Sequence, residues 1–426
     1  LDFLSTPTRN VPDRHRSLRA AFEQSWKLLT LAEQEVLRKL SVFRGGFRRE
    51  AASQVVGASI PVLASLLDKS LLRVSATGRF DRHPLMYQFA QEKLAECPEE
   101  LAQMQEKHGM YFFDFIQENS EEVRTERQLE IKKAFAEDLE NIKVAWQWGV
   151  ANERVNKVKQ AVFPLDAYFR DSLQEAVDFL NIAISSLSED KPEHHAALGY
   201  ALVSKAYYQS LIGHHDEAQT SAQRGSALLE PLEEVQGVLE GLNVRAYLQV
   251  RKGNFAEGKK PYEACLRLAR KHDLPYYVAS AITGLAIVSK DVDPLSQSKQ
   301  SFRECIAELR KIGDLISLST SLLCYGFLFI MIGEPHKAQP LMEESLELQQ
   351  KMGYLGATPY TINGLGFISL LKGEYGQAQH VFEEAKSVAD NIGDLYVKGV
   401  ALASLAIVVT YQGDLKAAED YLLQSL

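Results

Sequence analysis

The sequence predicts a mainly α-helical protein in which helical hairpins stack into a solenoid behind a smaller N-terminal domain. Two observations lead to this prediction: turns recur every 40 residues over the second half of the chain, and small side chains recur at fixed distances on either side of those turns. The 426 residues are 46% hydrophobic and 24% charged, a composition typical of folded globular proteins. A chain of this length is expected to form more than one domain.

The repeated turn begins with glycine and is followed five residues later by a small residue. The glycines of this turn are Gly213, Gly253, Gly333, Gly373 and Gly413. The register that lacks a glycine holds Asp293 and Pro294, another pair typical of turns. A fixed period of this length indicates a repeat protein, in which each unit needs its neighbours to bury its apolar face.

Small and bulky positions keep the same phase around each turn. Seven residues before it the side chain is small, as at Ala206, Ala246, Ala286, Gly326, Gly366 and Ala406. Nine residues after it the side chain is usually bulky, as at Tyr262, Phe302, Met342, Phe382 and Leu422. The pattern predicts two closely packed helices joined by the turn, because glycine enters the left-handed conformation without strain. We expect each bulky residue to fill a hole in the next hairpin.

A second turn follows the second helix of each hairpin, as in His272-Asp273-Leu274 and Gly313-Asp314-Leu315. The complete spacing of small and bulky residues resembles the tetratricopeptide repeat, most closely at Gly366, Ala378 and Phe382. The usual repeat of that family is about 34 residues long, so the longer period predicts longer helices. HEAT and armadillo repeats share the longer period and are the alternative.

The chain before the repeats falls into three segments. We predict a linker from a missing upstream domain over residues 1–13, a winged-helix-like domain over 14–97 and a helical linker over 98–158. The tetratricopeptide-type superhelix then occupies 159–426 with about seven hairpins, the first of them degraded. Within the winged-helix-like domain, helices are predicted over 17–29, 32–42, 49–56, 59–71 and 84–96, and strands over 72–75 and 79–82. Ser59 is expected to cap its helix, and helices followed by a hairpin are typical of a winged helix.

The first 150 residues also carry sequence strings of a known family. These strings are 10–19, Ser25-Trp26, 40–47, 68–72, His83-Pro84-Leu85 and 137–146. They resemble the winged-helix region, and the helical segment after it, of bacterial STAND regulators (signal-transduction ATPases with numerous domains), a group similar to the maltose-type activators and antibiotic-regulatory proteins. The resemblance covers residues 8–150 closely and the rest of the chain in architecture only.

In that family an ATPase domain precedes the winged helix. The resemblance implies a switch that rests with ADP and assembles with ATP once the superhelix binds an inducer. His83 would correspond to the phosphate-sensing histidine of the family; the alternative is that it caps the helix that Pro84 begins. ADP and ATP are expected only with the upstream ATPase domain, and no cofactor is expected in this chain. No Met begins the sequence, so we expect a piece of a longer protein.

The first helix of each hairpin should line the concave surface of such a superhelix. In the tetratricopeptide register, the inward positions are Tyr200, Tyr207, Asn243, Tyr247, Thr283, Lys290, Phe327, Tyr360, Asn363 and Phe367. Aromatic side chains interleaved with amides and a lysine suit a polar ligand, so we predict that a protein, a peptide or a small-molecule inducer binds there. The alternative is that several of these side chains pack between neighbouring helices.

Catalytic and metal chemistry are not indicated. Residues 253–259 match a phosphate-loop pattern, but Lys260 stands where Ser or Thr should bind Mg²⁺. The adjacent His214 and His215 point in different directions on a helical turn and have no third ligand close in sequence. No nucleophile elbow or paired zinc motif is present. We therefore expect no enzyme activity and no metal site.

The charge is unevenly divided, with a net +5 over residues 1–96 and −14 over the rest. An acidic superhelix is a poor match to DNA, and the helix at 59–69 holds one lysine and no arginine, asparagine or glutamine to read bases. The start lacks an export signal, and no apolar run approaches the roughly 20 residues that span a bilayer. We expect a cytoplasmic protein without membrane contact, whose four cysteines are buried and reduced.

The sequence thus predicts the sensor and regulatory part of a STAND-type signal-transducing ATPase or transcriptional regulator. The alternatives are a constitutive tetratricopeptide scaffold and a winged-helix transcription factor that binds DNA itself. Stabilisation by a specific small ligand would distinguish a sensor from a scaffold. Sequence-selective duplex binding by residues 1–96 would single out the transcription factor.

Overall fold

The computed structural model describes residues 18–120, 122–124, 127–170, 172–232 and 234–425. Its Cα positions form two compact units. The first holds the described residues up to Glu118 together with Ala134–Arg154, and the second holds Asn119–Lys133 with the residues from Val155 onward. The predicted linker 98–158 therefore contributes to both units, and the predicted segment boundaries stay predictions. The predicted linker over 1–13 lies outside the described residues.

The first unit consists of helices and one short antiparallel hairpin in the predicted order. Helices and strands up to Arg154 are α1 (Leu18–Lys27), α2 (Leu31–Lys39), α3 (Arg49–Val56), α4 (Ile60–Asp68), β1 (Arg73–Val74), β2 (Phe80–Asp81), α5 (Pro84–Ala95), α6 (Pro98–Glu118), α7 (Gln128–Glu137) and α8 (Leu139–Ala151). Of these, α7 includes residues of both units. Each strand is two residues long, shorter than predicted, and Phe47 adds an isolated bridge to Phe80.

Local signals in the sequence set the ends of these helices. Thr30 begins α2 with a capping box, in which its hydroxyl accepts from the backbone of Glu33 and the Glu33 carboxylate accepts from the backbone of Thr30. Gly57 ends α3 in the left-handed conformation at φ 71°. The prediction for Ser59 was wrong in one respect: it precedes α4, but its side chain makes no capping hydrogen bond.

Asn141 on α8 is the centre of a buried hydrogen-bond network in the first unit. Its Oδ1 accepts from the backbone N–H of Arg44 at 2.7 Å, and its Nδ2 donates to the carbonyl of Gly46 at 2.9 Å. The neighbouring Asp138 accepts two hydrogen bonds from Arg79, at 2.8 and 3.0 Å. Residues 138–141 thus fix both the turn at 44–46 and Arg79, which directly precedes β2. Buried polar groups are stable only when they are hydrogen-bonded, and these contacts satisfy the Asp138 and Asn141 side chains.

His108 on α6 completes this network, with its Nε2 lying 3.3 Å from Asn141 Oδ1. The side chain is 1% exposed and lies beside the rings of Phe43 and Phe112. Burial lowers the pKa of His108 from its usual 6.5 to about 4, and the hydrogen bond to Asn141 opposes only part of that effect. The imidazole is therefore neutral in the folded unit near neutral pH.

The second unit contains seven antiparallel helix pairs among the described residues. Its helices are α9 (Val155–Phe169), α10 (Leu173–Ser186), α11 (His195–Leu211), α12 (His215–Leu229), α13 (Val235–Arg251), α14 (Phe255–Lys271), α15 (Pro275–Val292), α16 (Leu295–Ile312), α17 (Leu315–Met331), α18 (Pro335–Met352), α19 (Thr358–Leu371), α20 (Tyr375–Ile392), α21 (Leu395–Tyr411) and α22 (Leu415–Ser425). Consecutive pairs stack on one another, as the repeat predicted.

Both turns of the repeat use the left-handed backbone region. The five predicted glycines of the first turn have φ between 74° and 89°. In the second turn Gly313 has φ 80°, and Asp273 takes the equivalent position with φ 52°. The structure therefore aligns Asp273, and not His272, with Gly313. Asp273 is exposed and occupies a conformation that costs an L-residue free energy.

Close packing between small and bulky residues holds each hairpin together. A Cβ atom added at Gly366 on α19 would lie 2.4 Å from the ring of Phe382 on α20. Met342 would meet a Cβ at Gly326 of its own hairpin at 2.8 Å and at Gly364 of the next hairpin at 2.6 Å. The prediction that bulky residues fill the next hairpin is thus incomplete, because they also pack within their own.

The four cysteines are free. Cys265 and Cys305 occupy equivalent small positions and are buried, as predicted. The same prediction was wrong for Cys97, which is exposed because it lies in the turn between α5 and α6, and Cys324 is half-buried.

The neutral state of His108 predicts a specific acid sensitivity of the first unit. Between pH 6.5 and about 4 the unfolded chain binds this proton and the folded unit does not, so the free energy of unfolding falls by up to about 3 kcal/mol as the pH is lowered through this range. Substitution His108→Gln should flatten that dependence. All three tryptophans, Trp26, Trp146 and Trp148, belong to the first unit, so urea unfolding followed by their fluorescence measures it. Parallel pH curves for both proteins would contradict the prediction.

The strained turn predicts a stabilising substitution in the second unit. Asp273→Gly should raise the free energy of unfolding by about 0.5–1 kcal/mol, because glycine has no Cβ penalty at positive φ. The reverse change Gly313→Asp should lower it by a similar amount, since a Cβ there meets no atom within 4 Å and only backbone strain acts. Urea unfolding followed by far-UV circular dichroism measures both changes. Destabilisation by Asp273→Gly would show that the aspartate side chain has a structural role.

Candidate ligand-binding site in the repeats

The first helices of consecutive hairpins surround a cavity of about 250 Å³ in the second unit. Helices α9, α11, α13, α15 and α17 contribute most of its wall. Six tyrosines line it, namely Tyr200, Tyr207, Tyr247, Tyr262, Tyr276 and Tyr354. Aromatic walls with a few polar groups are typical of small-molecule sites, because rings supply apolar contact and the polar groups fix orientation.

Asn243 on α13 is the polar group in this wall whose bonding is most incomplete. The residue is 8% exposed, yet neither its Nδ2 nor its Oδ1 has a hydrogen-bond partner. A buried amide without partners costs about 1–3 kcal/mol relative to a bonded one, so native proteins rarely keep it without a reason. A ligand that both accepts and donates a hydrogen bond would satisfy it.

Asp166 and Arg170 form an ion pair in the wall, with 3.1 Å between Asp166 Oδ2 and Arg170 Nη2. Asp166 also accepts from Ser204 Oγ at 3.2 Å, and its backbone carbonyl accepts from the hydroxyl of Tyr208 at 2.8 Å. The guanidinium carbon of Arg170 lies 5.5 Å from the centroid of the Tyr207 ring. This pair is therefore neutralised and held in place by α9 and α11, although Arg170 Nε has no partner.

Four of the tyrosine hydroxyls in the wall are neutral. Burial raises the pKa of Tyr200, Tyr207, Tyr247 and Tyr262 above its usual value of 10, because the phenolate would lose its hydration. Neutral hydroxyls can both donate and accept hydrogen bonds, and none of these four is a base near neutral pH.

Next to the cavity, a contact joins helices that lie three and four hairpins apart. Arg251 at the end of α13 donates from Nη1 to the hydroxyl of Tyr360 on α19 at 3.3 Å, and its guanidinium carbon lies 3.8 Å from the ring centroid of Tyr396 on α21. The Tyr360 hydroxyl donates in turn to Asp394 at 2.9 Å. The winding of the superhelix therefore closes its inner surface at this point.

Half of the predicted concave residues line the cavity. These are Tyr200, Tyr207, Asn243, Tyr247 and Thr283. They come from three consecutive first helices, so the tetratricopeptide register placed them on one wall. Ligand binding by these residues stays a prediction.

The other five predicted residues lie elsewhere. Lys290 is paired with Asp291 at 2.6 Å, and Tyr360 belongs to the Arg251 contact. Phe327 and Phe367 pack in hydrophobic clusters between helices. Asn363 is 1% exposed, with an unpartnered Oδ1. The alternative that some inward positions serve packing therefore fits the two phenylalanines.

Several residues of the site were missed by the sequence analysis. Asp166 and Arg170 belong to the degraded first repeat, where the register is hard to count. Tyr262 matched the bulky packing position and lines the cavity as well, and Tyr354 lies in the loop before α19. The one signal in the sequence that could have indicated where the Tyr262 side chain points is Gly284, which leaves room for the Tyr262 ring.

His83 in the first unit caps α5. Its Nδ1 accepts from the backbone N–H of Leu85 at 3.2 Å, and the residue is exposed. This geometry is that of a helix N-cap, the alternative role of His83. A nucleotide-sensing role stays a prediction, because it depends on the upstream domain.

Other sequence patterns lead to no site in the described residues. Lys259 of the phosphate-loop pattern pairs with Asp293 at 2.9 Å, and Lys260 pairs with Glu257. No group of three or more His, Cys, Asp or Glu side chains in the described part of the chain is placed to hold a metal ion. Within the same part, no single helix has the length and apolar composition to cross a membrane; α3 and α4, bent by 115°, meet these criteria only when counted together.

The fold places the second unit among the tetratricopeptide-type α-solenoids, and the predicted fold class is confirmed. One similar solved structure is that of a STAND protein (signal transduction ATPase with numerous domains) from Pyrococcus horikoshii, which has a tetratricopeptide repeat sensor. Its TM-score is 0.57 at 17% identity, and the match covers 95% of this chain and 57% of that chain. A Rap protein complexed with competence and sporulation factor has a TM-score of 0.52 and 11% identity, over 74% of this chain and 97% of that one. At such identities these likenesses show the fold alone.

Sequence comparison finds relatives named as HTH-type transcriptional regulators in Mycobacterium bovis and Mycobacterium tuberculosis. They are 26% identical over 215 residues, which cover 48% of this chain and 24% of each relative. This chain thus matches about a quarter of the length of those proteins. No family model matches the sequence.

The unsatisfied amide of Asn243 predicts a substitution effect opposite to that of Asn141. Asn243→Leu should leave the ligand-free protein as stable or raise its free energy of unfolding by about 1 kcal/mol, because no hydrogen bond is lost. Asn141→Leu should cost about 2–4 kcal/mol, because its bonded partners would be left unsatisfied. Urea unfolding measures the first by far-UV circular dichroism and the second by tryptophan fluorescence. Equal destabilisation by both would show that Asn243 has a structural partner.

Proposed function

We propose that this chain is the sensor and regulatory part of a signal-transducing ATPase or transcriptional regulator. Its repeats bind an inducer in the tyrosine-lined cavity, and its first unit couples that event to an ATPase domain of the whole protein. The observation that carries this proposal is the buried Asn243, whose amide has no partner and lines the cavity. Such an amide costs stability in the empty protein and gains bonds only when a ligand is present.

The size of the cavity limits the class of inducer. A space of about 250 Å³ admits a small molecule or a short stretch of an extended peptide, and it does not admit a folded domain. A protein partner would therefore have to insert a segment of chain. Neutral hydroxyls, the amide and the Asp166–Arg170 pair favour a polar ligand with some apolar surface.

The comparisons support the regulatory part of this proposal. The relatives that share 26% identity are named as transcriptional regulators, and the similar structure from Pyrococcus horikoshii is named as a STAND protein with a tetratricopeptide sensor. The similar Rap protein is complexed with competence and sporulation factor. Carried over to this chain, these names favour a repeat module that recognises a signal.

Catalysis by this chain is not part of the proposal. The described cavity wall contains no His, Cys or Lys; of its two acids, Asp166 is bonded to Arg170 and Ser204, and Glu240 accepts from the Tyr277 hydroxyl. Nucleotide hydrolysis would belong to the upstream ATPase domain, which would also bind ADP or ATP. Hydrolysis of ATP by this chain alone would contradict this assignment.

The experiment is a thermal-shift screen of the whole chain against small polar metabolites and short peptides. A true inducer should stabilise the protein in a concentration-dependent manner, by about 2.7 kcal/mol at 100 times its Kd. The variant Asn243→Leu should remove this effect. Asn391→Leu, which changes an exposed asparagine of α20 in the same unit, is the matched control and should keep it. A constitutive scaffold would be favoured by two results together. No compound of the screen would stabilise the protein, and the wild type and Asn243→Leu would bind partner proteins equally.

Direct DNA reading by the first unit is the second candidate, because the relatives are named as HTH-type regulators. The geometry of α4 argues against it. Lys69 at the end of α4 donates to both carboxylate oxygens of Glu33, at 2.6 and 2.7 Å, so its charge is already compensated. Salt-dependent, sequence-selective duplex binding by the whole chain would support this second candidate.

A further inference from the structure

The inner face of α13 presents three side chains in one row. Asn243, Tyr247 and Arg251 are spaced by four residues, which places them above one another on the same side of a helix. With a rise of 1.5 Å per residue, the row from Asn243 to Arg251 spans about 12 Å. Asn243 and Tyr247 line the cavity, and Arg251 lies beside Tyr247, with its guanidinium carbon 5.8 Å from the ring centroid.

Arg251 holds one complete hydrogen-bonding edge without a partner. Its Nε and Nη2 are both unpartnered and closed from solvent, while Nη1 alone donates to Tyr360. Nε–H and Nη2–H point in parallel and match the two oxygens of a carboxylate. The chain uses this same edge elsewhere, because Arg38 donates from Nε and Nη2 to the two oxygens of Glu100 at 2.7 and 3.1 Å.

The charge of Arg251 also lacks a direct partner. Asp394, which caps α21, accepts instead from the Tyr360 hydroxyl and from the backbone of Val397. The other arginine near this row, Arg170 in the cavity wall, is already neutralised by Asp166. Arg251 is therefore the positive group that remains to be paired. One negative charge would balance it. A doubly charged phosphate would face repulsion from Asp394 and from Glu240 in the wall.

We propose that α13 recognises a ligand that carries both an amide and a carboxylate, as the last residues of a short peptide do. The carboxylate binds the Nε–Nη2 edge of Arg251, the amide bonds to Asn243, and the part between them lies on Tyr247. A distance of about 12 Å corresponds to three or four extended residues. This inference rests on the proposed function and names the ligand class of that site.

Such binding would be linked to the contact between distant hairpins. Arg251 joins α13 to α19 and α21, and its two unpartnered donors are closed from solvent while that contact holds. A carboxylate reaches them only when Tyr396 and Tyr360 give way. The ligand therefore favours an altered arrangement of the repeats, which is what a sensor requires to report occupancy.

The test uses two peptide mixtures and the whole chain. One is a mixture of N-acetyl tetrapeptides with a free C-terminal carboxylate, and the other contains the same sequences as C-terminal amides. Peptides retained by the immobilised protein are identified by mass spectrometry and titrated by calorimetry. We expect retention from the acid mixture and at least tenfold weaker binding of the corresponding amides, because a charged bidentate pair is lost. Retained amides that contain Asp or Glu and are lost on Arg251→Gln would place the carboxylate on a side chain, which also supports the proposal.

Variants of α13 provide the matched controls. Arg251→Gln should weaken the acid peptides at least tenfold, and Arg251→Lys should weaken them less because the charge remains without the paired edge. Arg245→Gln, which removes an exposed arginine of the same helix paired with Glu230, should leave binding unchanged. Comparison of acid and amide on the wild-type protein keeps the test valid if a variant unfolds.

Two outcomes would overturn the proposal. The first is equal binding of acid and amide peptides that Arg251→Gln does not change; if Asn243→Leu still abolishes that binding, the proposed sensor function stands and only the ligand class is wrong. The second is no retention from either mixture. In that case a non-peptide inducer found by thermal shift would preserve the proposed sensor function. If no such inducer is found either, both the ligand class and the sensor function are wrong.

Discussion

The structure of the second unit depends on one packing constraint, the insertion of a bulky side chain against a glycine or alanine of the facing helix. Phe382 against Gly366 and Met342 between Gly326 and Gly364 leave no room for a Cβ atom. Because this contact recurs every 40 residues, each hairpin meets the next at the same relative position, and the repeats stack as one continuous array. The inner wall follows from that regular stacking, since equivalent positions on successive first helices come to face the same side.

The same regularity brings distant parts of the chain together. Arg251 contacts Tyr360 and Tyr396, and Tyr354 joins Tyr207 in the cavity wall, although 100 residues or more separate these partners in sequence. An array wound in this way can enclose a ligand, and a change at one hairpin can reach another without passing through every unit between them. The unpartnered polar atoms of Arg251 lie at this contact, and those of Asn243 line the adjoining cavity, which is why we propose signal recognition there.

The first unit is held by a different principle. Asn141 and Asp138 on one helix satisfy the backbone of the Arg44-Gly45-Gly46 turn and the guanidinium of Arg79, and His108 is kept neutral beside them. A buried polar network of this kind specifies one arrangement, because any displacement leaves several groups unsatisfied. Under the proposed function, such a fixed arrangement suits a unit that transmits a change rather than one that binds a ligand.

The sequence by itself determined the helical hairpins, their period, the class of fold and five residues of the cavity wall. These features follow from local rules: glycine at positive φ, small residues where helices touch, and inward positions such as Tyr207 and Asn243 that repeat with the helix. Tertiary structure alone decided that Tyr262 reaches the cavity, that Phe367 serves packing instead, and that Arg251 meets Tyr396. The physical reason is the winding of the superhelix, a small rotation per hairpin that accumulates over many units and is not encoded in the spacing of any single repeat.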